Sequence, residues 1–162
     1  LVPIDPVTAQ EPLRPTTLIL VRHAEKSVPL GDYPLSSAGR ARARELARVL
    51  GSVDIAAVYT TQYLRTRQTA QPLADQLGLP VEPITTTETY VADVLDRVRT
   101  EHAGQTVLVV THRLTLPALI EALGANPVPT IAEEQYDRLY VVTVLPTGPV
   151  SLLEFRFGKP TR

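Results

Sequence analysis

Two of the three histidines in this 162-residue chain stand directly behind short apolar runs, and each has an arginine beside it. Leu18-Ile19-Leu20-Val21 leads into Arg22-His23-Ala24-Glu25-Lys26, and Val107-Leu108-Val109-Val110 leads into Thr111-His112-Arg113. A third run, Ile55 to Tyr59, delivers Thr60-Thr61 and then Arg65 and Arg67. Guanidinium forks offer paired donors to an oxyanion, and helix N-termini add backbone N–H groups and a positive dipole end. Together they suit a small dianion, most simply a phosphoryl group. Imidazoles there serve as nucleophile, as acid or base, or as donors to phosphate oxygens. Two histidines without clustered carboxylates make a poor metal site, since zinc takes three or four protein ligands. No metal and no cofactor is expected, and neither GxxxxGK(S/T) nor GxGxxG occurs to cradle a nucleotide.

The elements that would position these groups follow from the hydrophobic pattern. Unbroken apolar runs of four or five residues predict strands buried on both faces, as in a parallel sheet. Between them lie helical stretches. One starts at a Ser36 or Ser37 cap and runs through Leu50, with Ala43, Leu46, Val49 and Leu50 on one face and Gly51 past its end. A second covers about 63–77, closing at Gly78, with a kink or restart predicted at Pro72. A third covers about 89–102, with Gly104 as its stop, and a fourth runs from near Pro117 to Leu123. Leu139–Leu145 and Val150–Phe157 flank Pro146-Thr147-Gly148-Pro149 as a hairpin. The prediction is an α/β domain: a three-layer α/β/α sandwich with a mostly parallel central sheet and a late antiparallel hairpin. Ligands of such sheets sit beyond the carboxyl ends of the strands, where the Arg-His pairs fall.

Composition narrows the class further. With 44% hydrophobic and 20% charged residues the chain fits one compact domain. Sixteen basic against seventeen acidic side chains speak against a nucleic-acid binder. No run reaches the roughly 18 apolar residues of a membrane helix. The absence of cysteine removes disulfides, thiolate metal sites and cysteine nucleophiles together. Residues 1–16 hold four prolines and no usable period, so a Pro-rich arm at 1–16 is expected to precede the domain at 17–162. Methionine is missing, position 1 included. The reading is a processed chain, periplasmic or secreted, with a cytoplasmic protein as the alternative.

At these residues the sequence resembles the histidine phosphatase superfamily, the phosphoglycerate-mutase-like fold, and within it short bacterial members carrying RHAEK. LILVRHAEK matches the family's first block, YTTQYLRTRQTA the second on Arg65, and VLVVTH the third on His112. PLSSAGRARA and LGLPVEP also look like the family, and the likeness covers about 17–157 in order and spacing. One departure follows the third block. The family has Gly or Ser and small polar residues there, whereas this chain has Arg113-Leu114-Thr115.

The resemblance implies a metal-independent phosphomonoesterase, a phosphoric monoester hydrolase of the histidine acid type. His23 would attack phosphorus and become a phosphohistidine, while Arg22, Arg65 and His112 hold the equatorial oxygens. The attacking ring must be neutral, so an acceptor is expected on its other nitrogen. A small phosphorylated substrate or a phosphoprotein, phosphohistidine included, is the implied partner. For the leaving-group acid the resemblance points to the segment after the second block, where Glu88 is the candidate. A capping role begun at Thr85 is the competing reading of Glu88. Glu25 and Arg113 are further possible site residues; Glu25 could instead satisfy a helix dipole. His102, near a helix end, reads as a dipole partner, and Lys26 and Arg67 read as solvated. Arg40, Arg42, Arg44 and Arg48 read as a solvated basic face paired internally with Glu45. A catalytically degenerate phosphate-binding module on the same fold is the alternative function.

Overall fold

The computed structural model describes residues 14–162, so most of the predicted arm lies outside the described residues, and Thr16 already belongs to the first strand. Ten elements follow: β1 (Thr16–Arg22), α1 (Ser37–Leu50), β2 (Ile55–Thr60), α2 (Leu64–Leu77), β3 (Val81–Pro83), α3 (Tyr90–Glu101), β4 (Thr106–Thr111), α4 (Thr115–Ala122), β5 (Arg138–Val144) and β6 (Val150–Arg156). The strands form one sheet in the order β3-β2-β4-β1-β5-β6. β3, β2, β4 and β1 run parallel, β5 pairs antiparallel with β1, and β6 antiparallel with β5.

Period-two alternation divides β1 between two cores. Leu18 and Leu20 pack with α3 and α4, against Val94, Val98, Leu116 and Leu119. Ile19 and Val21 pack with α1 and α2, against Leu46, Leu50, Ala70 and Leu73. A sheet covered on both faces needs apolar residues at every position, which is why the runs are continuous. Its register places Arg22 opposite Thr111 and Thr60 opposite Val110, so β1, β4 and β2 finish level at one edge.

Local details depart from the expectations in instructive places. Ser36 caps α1, its Oγ accepting from Gly39 N–H at 3.0 Å, but Val49 is 40% exposed and Ala47 takes its place in the core. α2 runs unbroken through Pro72, without a restart, and ends on left-handed Gly78 (φ 67°). α4 opens at Thr115, which leaves Pro117 within the first turn. β3 was not anticipated at all; three residues at the sheet edge are too few to carry a pattern.

Candidate active site

The carboxyl ends of β1 and β4 set the two histidines side by side. His23 N–H donates to Thr111 C=O at 2.9 Å, and the two rings meet edge to face with centroids 5.4 Å apart. His23 Nδ1 lies 2.8 Å from the carbonyl oxygen of Ala24. A carbonyl only accepts, so Nδ1 carries the proton and Nε2 keeps its lone pair. The expected acceptor is thus a backbone carbonyl. Burial lowers the imidazole to about 3, with the Ala24 bond opposing and Arg22, His112 and Arg65 adding to the effect.

The segment that carries this carbonyl is gripped from two sides. Ala24 N–H donates to Thr69 Oγ1 of α2 at 2.9 Å, and Glu25 C=O accepts from Ser36 N–H at 2.8 Å. The first turn of α1 comes so near that a Cβ at Gly39 would stand 2.2 Å from the Glu25 carbonyl oxygen. One turn on, Arg42 grips the Glu25 carboxylate through Nε and Nη2, the latter at 2.8 Å. The same guanidinium donates to the carbonyls of Phe157 and Lys159. Arg42 is only 4% exposed, so the solvated basic face predicted for it is corrected: burial demands partners, and Glu25 is the charge that supplies them. Glu25 is correspondingly not a dipole partner. The predicted pairing of Glu45 does occur, with Arg48.

His112 is set by α2 and by the end of β2. Its Nε2–H donates to Thr61 Oγ1 at 3.0 Å, which continues to Thr66 Oγ1 at 2.9 Å and from there to Tyr63 C=O at 2.8 Å. Arg65, on the first turn of α2, donates from Nη2 to His112 Nδ1 at 3.4 Å and lies over the Tyr63 ring. Asp32 steers both ends of this arrangement, accepting from Leu64 N–H at 2.8 Å and standing 3.7 Å from the Arg65 guanidinium. Burial lowers His112 to about 4, with Arg65, Arg22 and Lys26 pushing in the same direction.

Arg22 is held by the loop before β5. Its Nη1 donates to Glu133 C=O (2.6 Å), Gln135 C=O (3.0 Å) and Ala132 C=O (3.3 Å), and its guanidinium lies 4.0 Å over the Tyr136 ring. Among the described residues its Nε has no partner and is buried, and the Nε of Arg65 is in the same position. These groups floor a cleft of about 620 Å³ that Arg113, Leu114, Glu133, Glu134 and Tyr136 help to wall.

The structure therefore brings Arg22, His23, Arg65 and His112 together and places Arg113 and Glu25 on the same lining. It does not bring Glu88. That residue is exposed on the turn before α3, capped by neither Thr85 nor a box, because α3 begins two residues later behind Thr89. Thr86 is the part of that segment that reaches the cleft. Lys26, read as solvated, lines the cleft and is half-buried, whereas Arg67 is exposed as expected. His102 is tied to Tyr59 and Gln105, both at 2.8 Å, away from the cleft. Sequence reasoning missed Tyr63, Tyr136, Glu133 and Glu134. Tyr63 carried a signal in its place two residues before Arg65; the others belong to the late EEQYDRLYVV segment, which resembles the same short bacterial members but to which sequence reasoning assigns no site role.

A model of the histidine phosphatase superfamily (branch 1) matches residues 18–89, the stretch that holds Arg22, His23 and Arg65. An 8-oxo-(d)GTP phosphatase of Mycolicibacterium smegmatis is 34% identical over 92 residues, 52% of this chain but 29% of that protein. This chain thus spans under a third of that relative. Among solved structures, the protein histidine phosphatase SixA complexed with tungstate superposes with a TM-score of 0.69 at 22% identity, over 86% of this chain and 96% of that one. Phosphoglycerate mutase from Bacillus anthracis superposes with a TM-score of 0.72 at 17% identity, over 88% and 93%. Matched blocks and shared architecture agree: residues 18–89 match the histidine phosphatase superfamily (branch 1) model, and the chain has the fold of these solved phosphatase and mutase structures.

Proposed function

We propose that this chain is a phosphatase that hydrolyses phosphomonoesters, or phosphohistidine, through a covalent intermediate on His23 and without a metal. One observation carries the reading: a neutral imidazole with its Nδ1–H committed to the Ala24 carbonyl presents a lone pair on Nε2 beside two guanidinium groups and a second imidazole. In the first step Nε2 attacks phosphorus in line, the P–N bond forms, and the P–O bond to the leaving group breaks. Water then attacks the phosphohistidine, and inorganic phosphate leaves with His23 neutral again. Arg22, Arg65 and His112 stabilise the equatorial oxygens, the preorganised electrostatics on which phosphoryl transfer depends. His112 Nδ1 accepts from Arg65; a dianion would draw that guanidinium to itself and offset the charges that lower His112. His112 then takes up a proton and donates from Nδ1.

The leaving group needs a proton in the first step. Glu88 stands outside the cleft and Glu25 is held by Arg42, which leaves Glu133 and Glu134 as the carboxylates on the lining. Relatives and structural neighbours named for 8-oxo-(d)GTP and for protein histidine phosphate support phosphoryl hydrolysis as the class of reaction. Turnover of p-nitrophenyl phosphate between pH 4 and 8 tests the proposal, and a phosphometabolite panel then defines the substrate. A pure, folded chain that binds phosphate but shows no turnover would instead be the degenerate binding module.

A further inference from the structure

Each of the two arginines assigned to the phosphoryl group lies over a tyrosine ring, Arg22 at 4.0 Å over Tyr136 and Arg65 at 4.4 Å over Tyr63. Each tyrosine in turn stands beside a site histidine. The Tyr136 and His23 centroids are 6.1 Å apart, and Tyr63 meets His112 edge to face at 5.5 Å. Both tyrosines are half-buried on the lining of the cleft, and neither hydroxyl makes a hydrogen bond among the described residues. What the protein engages is the π face, not the phenol.

The rest of each seat carries little opposite charge. Among the described residues all three hydrogen bonds of the Arg22 guanidinium go to the carbonyls of Ala132, Glu133 and Gln135, in the loop that also carries Tyr136. Arg65 has only the exposed Asp32, at 3.7 Å. Arg42 differs: the Glu25 carboxylate grips it at 2.8 Å, and it holds structure. A carboxylate partner cancels much of a guanidinium's charge before an anion arrives, whereas carbonyls and an aromatic face fix its direction and leave it cationic.

Resting on the phosphatase reading, we propose that Tyr136 and Tyr63 are positioning residues, whose rings fix the planes of Arg22 and Arg65 for the phosphoryl oxygens. Each acts through its arginine. The uncharged seat lets Arg22 take a dianion without first breaking an ion pair. Orientation matters most where charge develops, so loss of a ring falls on kcat more than on KM.

The test is p-nitrophenyl phosphate kinetics of Tyr136→Leu and Tyr136→Phe, with a double-mutant cycle against Arg22→Lys. Tyr136→Leu should lower kcat on the order of tenfold and change KM far less, because leucine fills space without a π face. Tyr136→Phe keeps the face and should recover most of that loss. A lysine ammonium has no plane to orient, so Tyr136→Leu should add little to the loss already caused by Arg22→Lys. The cycle is read in calorimetric affinity for orthovanadate, whose five-coordinate form resembles the transition state, so it does not depend on turnover. Tyr63→Leu against Arg65→Lys should repeat the pattern. Tyr136→Leu within about twofold of wild type, Tyr136→Phe as slow as Tyr136→Leu, or losses that add fully across Tyr136 and Arg22 would overturn the seat and leave the phosphatase intact. If the wild type turns nothing over, the phosphatase reading fails, and the vanadate affinities alone decide the seat by the same comparisons.

Discussion

At the scale of single residues, the account rests on two imidazoles held neutral for different ends. Burial keeps His23 near 3 and His112 near 4, so both rings of the free protein should titrate well below the ordinary value of 6.5. NMR titration of the ring protons checks this, and phosphate binding should move His112 upward while His23 stays low. A His23 resonance titrating near 6.5 would contradict its geometry here. His112→Ala should cost on the order of 10²–10³ in kcat, the loss of one transition-state donor. The carboxylates divide by position. Glu88→Gln should leave alkyl and aryl phosphates alike, because the side chain is outside the cleft. Glu133→Gln and Glu134→Gln together should slow alkyl phosphates strongly and p-nitrophenyl phosphate little, since a phenolate leaves without help. Rate constants for both ester types in the single and the double variant decide the assignment.

At the scale of elements, the first turn of α1 is what holds the His23–Glu25 segment behind β1 in place. Gly39→Ala would drive a Cβ into the Glu25 carbonyl, so about 2 kcal/mol of stability should be lost, together with kcat, as the Ala24 carbonyl shifts. Arg42→Gln leaves Glu25 and two carbonyls without their donor and should cost about 3 kcal/mol in a urea titration. These contacts mark where the sequence was and was not legible. The continuous runs of β1, β2 and β4 announced buried strands, and what followed each run announced Arg22, His23, Arg65 and His112. Arg42 looked like one more arginine on a polar helix, because its partner comes from a loop seventeen residues earlier and from the C-terminal segment. Long-range pairing leaves no local period. Glu88 was placed by resemblance alone, as the one carboxylate of its stretch ahead of the next helix, and here Thr86 reaches the cleft instead. Val49 and Ala47 exchanged places because a helix face set by small residues is read poorly from side-chain size.

At the scale of the whole molecule, acid acts on stability through the same buried groups. A ring with a folded value below 6.5 binds fewer protons than it does unfolded, so stability is full above about pH 6.5 and falls as the pH drops towards 3. At pH 5 each of the two histidines should have removed on the order of 2 kcal/mol. Asp137 works in the same direction. Burial alone would raise its carboxyl, but hydrogen bonds from Thr161 and Arg156 outweigh that and hold it low. Thermal midpoints between pH 4 and 8 should therefore decline on the acid side, and His112→Gln should soften the decline. Activity should be indifferent to chelator, since among the described residues no three histidine, aspartate or glutamate side chains gather as a metal site. A tenfold loss in EDTA, restored by a divalent ion, would contradict that. The central claim is the nucleophile, and the direct measurement is to quench the enzyme at low temperature during turnover of a labelled phosphomonoester and map the trapped phosphoryl group. Label on His23, absent from His23→Ala but present in His112→Ala, is the predicted result; stoichiometric label on any other residue would contradict the account.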